Sequence, residues 1–314
     1  MARAFSWRDF LTLFRYRNRE VFLDNSLSLT HAPGVLTNVM LSMLLPNSGF
    51  CTAVQPGPDG SRPLFGQFHC ANTRRAARLT FLAPEDEISQ DRTVKLFSSL
   101  CKQAGEMGAF QVLAEVEQDT TTAASLRQTG FQPYAEQRIW LLPPSLVPAG
   151  ETKGWAPISR DDEQHIQHLY KQIIPRSVQR VEPAPRVKDI QGWAYRRQGQ
   201  LRGIATFTWG PKGVLVDVVM DPEESSLEEH ITTLFQLLSP YHRDRFYFRV
   251  RTYQQKIASA LERVGASKSP LQLAMVKYLA VQFQVKKLTN LAHLEKQPDI
   301  TTPFVKSERE TNNL

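Results

Sequence analysis

Four landmarks recur along this chain at a nearly constant spacing, and that repeat constrains the fold more than any other feature. Gly66 and Gly203 lie 137 residues apart, Pro84 and Pro222 138, Phe110 and Phe246 136, and Gly130 and Gly265 135. Each of the two prolines is followed by a pair of acidic residues. Self-similarity at a fixed period marks one structural unit written more than once. The chain has 314 residues, which suits two domains of about 140 each. Between the copies, the stretch from Pro143 to Gly150 holds three prolines and a glycine. Proline removes backbone donors and glycine loosens the chain, so this stretch reads as a linker. The expected division is 1–142, a linker over 143–154, 155–282, and a polar tail over 283–314.

Within each copy the elements follow one order. In the first, Gly49 to Gln55, Leu64 to Cys70 and Ala77 to Leu82 read as strands bounded by turn residues. Val94, Leu96, Phe97, Leu100, Cys101 and Ala104 recur at helical spacing, predicting a helix from Gln90 to Met107. Phe110 to Val116 is a nearly continuous apolar run, the pattern of a strand covered on both faces. A short helix over Thr122 to Thr129 and a closing strand over Gln137 to Leu142 complete the unit. In the second copy the strands are Gly192–Arg197, Gln200–Trp209 and Val214–Met220. There follow a helix over Ser226–Leu238, a strand over Phe246–Val250, a helix over Gln254–Val264 and a closing strand over Leu271–Val281. An opening helix is expected over Asp162 to Ile174, and its counterpart over Gly34 to Leu45. Ahead of that counterpart, Trp7, Phe10, Leu11 and Phe14 share one helical face opposite Arg8, Arg15 and Arg17. We expect this face to dock on its own domain rather than on a membrane. One docking helix is expected in the tail, around Leu288 to Leu294.

Composition excludes some function classes. No stretch approaches the roughly 18–20 apolar residues of a membrane-spanning helix, and no signal-peptide pattern opens the chain. Cys51, Cys70 and Cys101 form no ligand spacing, and an odd, sparse set fits a reducing compartment. A cytoplasmic protein with no membrane partner is the expectation. The net charge of +7 is dispersed, with no aromatic-interleaved basic pattern, which argues against nucleic acid. His165 and His168 stand at i, i+3, but no third converging ligand is evident, so no metal is expected. No phosphate-binding loop, nucleophile elbow or dinucleotide fingerprint is present.

The run Ala114-Glu115-Val116 followed by Ala124-Ser125-Leu126-Arg127-Gln128-Thr129-Gly130-Phe131 resembles the second half of the GNAT N-acetyltransferase superfamily. The second copy offers Val250 and then Ala260-Leu261-Glu262-Arg263-Val264-Gly265-Ala266, with alanine in the aromatic's place. The resemblance implies an α/β (α+β) fold of two tandem GNAT-like domains. Each would be a mixed, mostly antiparallel sheet flanked by helices, with a central parallel strand pair. It also implies acetyl-CoA in the gap between Ala77–Leu82 and Phe110–Val116, or between Val214–Met220 and Phe246–Val250. In the first copy the implied cofactor residues are Leu79, Phe81, Leu82, Ser89, Gln90, Arg92, Thr93 and Asp119. The acyl acceptor would be an amine, on a small molecule or a peptide. Glu115 interrupts an apolar strand where the gap should open, and is the candidate general base.

This chain departs from the family pattern in both phosphate loops. Thr93 and Lys95 stand where glycine or alanine is expected, behind the acidic run Glu85-Asp86-Glu87. The second loop, Asp221 to Glu229, has neither glycine nor a basic residue. Leu126 and Leu261 replace the tyrosine that protonates the leaving thiolate in many members. Two readings follow: an acyl-CoA-dependent N-acyltransferase active in the first copy, or a catalytically inactive scaffold that binds a ligand or partner.

Overall fold

The two long helices form where apolar residues recur every three or four positions, and each lays that stripe on one face of a sheet. The computed structural model describes residues 2–31, 49–70, 76–142, 154–239 and 245–279. Residues 1–281 make up one compact unit. The expected helix over Gly34–Leu45, the linker over Pro143–Gly150 and the tail helix all lie outside the described residues.

The first copy runs β1 (Arg3–Ala4), α1 (Phe10–Phe14), β2 (Val21–Phe22), α2 (Asn25–His31), β3 (Phe50–Gln55), β4 (Leu64–Cys70) and β5 (Ala76–Ala83). It continues through α3 (Gln90–Glu106), β6 (Gln111–Glu117), α4 (Thr121–Gln128) and β7 (Gln132–Leu142). The second runs β8 (Trp155–Pro157), α5 (Glu163–Ile173), α6 (Arg176–Val181), β9 (Gly192–Arg197), β10 (Gln200–Gly210) and β11 (Gly213–Met220). Then come α7 (Leu227–Leu238), β12 (Phe246–Arg251), α8 (Gln255–Arg263), β13 (Ser267–Lys268) and β14 (Gln272–Tyr278). The fold is a mixed sheet flanked by helices, mostly antiparallel, with one parallel pair per copy: β5 with β6 and β11 with β12. Helix α3 buries Leu96, Phe97, Leu100, Cys101 and Ala104, and α7 buries Ile231, Leu234, Phe235 and Leu238. Each leucine, isoleucine or phenylalanine among them contributes about 1.5–3 kcal/mol by leaving water.

The repeat is visible in the helix ends. Gly130 (φ 94°) and Gly265 (φ 82°) close α4 and α8 in the left-handed region that only glycine enters freely. In both, the next residue reaches back five positions: Phe131 N–H donates to Leu126 C=O and Ala266 N–H to Leu261 C=O, each at 3.0 Å. The N-termini match as well. Ser6 N–H donates to Asp9 and Ser159 N–H to Asp162, each at 2.8 Å. Arg3 pairs with Asp9, and Arg196 with Asp162. The N-terminal segment therefore opens with the same Ser-to-Asp capping arrangement as the region before α5.

That segment docks, but not by the expected face. Trp7, Leu11 and Phe14 are exposed, whereas Leu13 and Tyr16 are buried and pack with Phe65 and Phe81. The buried face is the one that carries Asp9, Leu13 and Tyr16, so the stripe of Trp7, Leu11 and Phe14 is a real helical face but points away from the core.

The closing strands are exchanged between copies. β14 lies between β6 and β7, pairing antiparallel with both, and places Leu273 and Met275 in the first copy's core. The latter half of β7 pairs with β12, and β13 pairs with β7. One sheet thus runs through both copies. Among the described residues, no helix is long and apolar enough to cross a membrane.

Candidate functional site

Parallel strands that diverge leave backbone N–H and C=O groups facing an empty wedge, and those groups must find partners. In the first copy β5 and β6 pair only from Ala76↔Gln111 to Arg78↔Leu113 and then part. The wedge is filled by the chain itself. Val21 and Phe22 pair antiparallel with Leu82 and Phe81. Leu23 N–H then donates to Thr80 C=O at 2.8 Å, and Glu115 N–H donates to Leu23 C=O at 2.9 Å. The Leu23 side chain is buried in the first core.

In the second copy β11 and β12 pair from Val214↔Phe246 to Asp217↔Arg249 and part in turn. Here a side chain spans the wedge. Gln254 Nε2 donates to Val218 C=O at 2.6 Å, and Arg251 N–H donates to Gln254 Oε1 at 2.9 Å. Thr80 and Val218 are 138 residues apart, and Glu115 and Arg251 136, the same offsets as the proline and phenylalanine landmarks. Equivalent backbone groups are therefore satisfied twice over, once by a main-chain amide and once by a side-chain amide.

The residues singled out from sequence fall in several places. Leu79 and Leu82 are buried in the first core, and Phe81 is buried against the N-terminal segment. Ser89 caps α3 without a side-chain bond. Gln90 Nε2 donates to Gln128 Oε1 at 2.8 Å, spanning from α3 to α4. Arg92 is committed to Glu87 and to the Arg62 carbonyl, both at 2.6 Å. Thr93 is buried, with its hydroxyl unpartnered. The structure brings Glu115 and Asp119 together in a cavity of about 650 Å³, beside Phe22, Asn25 and Ile88.

Glu115 is buried, and both its oxygens are engaged. Arg249 Nη1 donates to Oε1 and Asn25 N–H to Oε2, each at 2.8 Å. Burial alone would raise its pKa, but Arg249, Arg78 and Arg251 outweigh that and hold it below the usual value. Arg249 also grips Asp217 through Nε and Nη2, both at 2.7 Å. Beside it Arg251 Nη2 donates to both oxygens of Glu182, at 3.1 and 2.9 Å, and Tyr134 Oη donates to Glu182 at 2.5 Å. Burial opposes the Glu182 charge, yet Arg251, Arg249 and Arg78 bring its pKa down to about 2. Asp24 is pushed the other way by burial. Glu182, Asp217, Arg249 and Arg251 border a cavity of about 720 Å³ between the copies, walled by α5, α6, β10, β11 and β12 on one side and by Asp24 and Arg78 on the other.

Sequence reasoning missed Leu23, Arg249 and Gln254. The repeat offset could have found the last: Asp119 and Gln254 lie 135 apart, as do the helix-closing glycines. Nothing in the local pattern of Val21 to Asn25 marks it as a wedge.

No protein-family model matches the sequence, and no curated protein matches it. Solved structures do match in shape. A GCN5-related N-acetyltransferase from Sphaerobacter thermophilus superimposes with a TM-score of 0.56 at 12% identity, covering 88% of this chain and 95% of that one. A tandem GNAT protein from the clavulanic acid biosynthesis pathway gives 0.51 at 13% identity, over 88% of this chain and 98% of that one. The chain therefore has the GNAT fold, in tandem. The described residues do not fit the acetyl-CoA that this fold implies. The pantetheine's lane in each copy is closed by Leu23 or Gln254. Glu85, Asp86 and Glu87 precede the helix N-terminus, and Asp91 sits in its first turn, where a pyrophosphate would rest.

Proposed function

We propose that this chain is a tandem GNAT-fold binding protein that does not turn over acyl-CoA, with residues 1–142 and 155–282 as its two copies and its ligand site in the cavity between them. The observation that carries the reading is the double closure by Leu23 and Gln254 at equivalent positions. Displacing Leu23 exposes a buried leucine and opens two hydrogen bonds, a cost of about 3–6 kcal/mol. That would weaken a cofactor's binding by roughly two to four orders of magnitude. The paired state of Glu115 and the leucines at 126 and 261 support the same reading.

A second reading is favoured by the cavity at the mouth of the first wedge, where Glu115 and Asp119 meet the start of α4. In it the chain is an N-acyltransferase that moves an acetyl group from acetyl-CoA to an amine, Glu115 is the base, and the 21–25 segment must leave first. Calorimetric titration with acetyl-CoA and CoA separates the two. We expect no heat and no thermal stabilisation at millimolar cofactor with the intact chain. Micromolar binding by the intact chain would overturn the closed reading and favour the acyltransferase one.

A further inference from the structure

Most charges around the cavity between the copies neutralise one another. Arg249 is divided between Asp217 and Glu115, and Arg251 is held by Glu182. Asp189 also lines the cavity, and two further charged groups face it with bonding capacity to spare. Arg78 lines the cavity with its side chain 30% exposed, and its one ion pair among the described residues is a 3.9 Å approach to Glu182. It makes no hydrogen bond there, although a guanidinium carries five donors in a planar fork. Asp24 lines the same cavity and is nearly buried. Its Oδ1 accepts from Ser26 N–H at 2.9 Å and Leu27 N–H at 3.4 Å, while Oδ2 receives nothing from the described residues. Asp24 and Arg78 do not pair with each other, yet each feels the other's charge. A guanidinium and a carboxylate oxygen that face one space with bonding capacity to spare can each take a ligand group of opposite charge.

The rest of the wall mixes polar groups, among them Asp189, Gln191, Thr206 and Thr208, with the aromatic rings of Tyr170, Phe207, Trp209 and Tyr253. From this we infer that the cavity binds a zwitterionic aromatic amino acid, its carboxylate on Arg78, its ammonium on Asp24 and its ring against the aromatic wall. This rests on the binding-protein reading above and names the ligand class of that site. Arg78 suits a carboxylate because its fork can donate two parallel bonds. Asp24 can only accept, which suits an ammonium. A cavity of about 720 Å³ is within the range of small-molecule sites and admits a bicyclic side chain.

The test is calorimetric titration of the full chain with L-tryptophan, tryptamine, indole-3-propionate and L-alanine. L-Tryptophan should bind best. Tryptamine, lacking the carboxylate, and indole-3-propionate, lacking the ammonium, should each be roughly tenfold to hundredfold weaker, the worth of one charge-assisted contact. Arg78→Gln should weaken L-tryptophan and indole-3-propionate and leave tryptamine unchanged, and Asp24→Asn should weaken L-tryptophan and tryptamine and leave indole-3-propionate unchanged. Should Arg78→Gln fail to fold, Arg78→Lys is measured in its place, and a loss of L-tryptophan affinity counts the same way. The inference is overturned if the three indoles bind alike, if none binds, or if both substitutions leave their affinities unchanged. Acetyl-CoA binding is scored separately. Micromolar affinity for it would sink the closed-groove reading, whereas silence toward every ligand would sink only the zwitterion site.

Discussion

Leu23 and Gln254 make the same pair of hydrogen bonds in the two copies, one with its peptide group and the other with its side-chain amide. Each joins a carbonyl of one diverging strand to an N–H of the other. The common cause is geometric. Once two parallel strands splay, one acceptor and one donor per copy are stranded, and a buried backbone group left unpaired costs about as much as a lost hydrogen bond.

The first copy's closure depends on an apolar anchor as well as on the backbone. Leu23→Ala keeps both main-chain bonds but empties a fully enclosed site, and should cost about 2–5 kcal/mol. Denaturant unfolding reads this as a lower midpoint at an unchanged slope. A loss below about 1 kcal/mol would mean that the segment is not packed in the wedge.

The second copy's closure is a single amide. Gln254→Ala strands Val218 C=O and Arg251 N–H together and should cost about 1–3 kcal/mol. Gln254→Glu tests the donor alone, because an ionised carboxylate cannot donate to Val218 C=O. Its melting temperature should recover toward that of the parent as the pH is lowered and the carboxyl becomes a donor. A deficit that is independent of pH would refute the bridge.

Glu115 and Arg249 hold the two copies together through a pair 2.8 Å apart, both side chains nearly buried. Arg249→Met takes the directly bonded cation from buried Glu115 and should cost about 3–5 kcal/mol, whereas Glu115→Gln leaves Arg249 held by Asp217 and should cost about 1–3 kcal/mol. A double-mutant cycle should show coupling of about 0.5–3 kcal/mol. If Glu115 were instead a free catalytic base, Glu115→Gln would leave stability nearly untouched.

Acid should loosen this network in a defined window. Glu182 has a folded pKa of about 2, depressed from an ordinary 4.5. The folded form therefore binds this proton less readily than the unfolded one. Its contribution is complete above pH 4.5, is lost as the pH falls from there through about 2, and amounts to roughly 3 kcal/mol. Glu182→Gln should flatten that limb of the stability profile. Asp24 is raised and acts oppositely, its ionisation costing stability as the pH rises, so Asp24→Asn should stabilise the chain at neutral pH.

Much of the fold was legible because it is local. Helix α3 was expected over Gln90–Met107 and is found over Gln90–Glu106, since apolar spacing decides which face a helix buries. Strand β6 was expected over Phe110–Val116 and is found over Gln111–Glu117. The glycines after α4 and α8 declared the helix ends, because the left-handed turn there needs no neighbour to explain it. The N-terminal segment was misjudged because periodicity picks out a face without fixing which side meets the core: Trp7, Leu11 and Phe14 share a face that stays exposed, and Leu13 and Tyr16 dock instead.

By itself, then, the sequence determined the repeat and the order of elements within each copy, both of which follow from periodicity, turn chemistry and residue identity at short range. Only the tertiary structure decided that β14 enters the first copy's sheet, that Leu23 and Gln254 close the two wedges, and that Glu115 meets Arg249 from 134 residues away. The physical reason is the same for all three. Strand pairing and buried charge pairing join residues through space, and a strand's hydrogen-bonding groups are identical whichever partner they meet. Burial and geometry select the partner, and neither is written in the spacing of the chain.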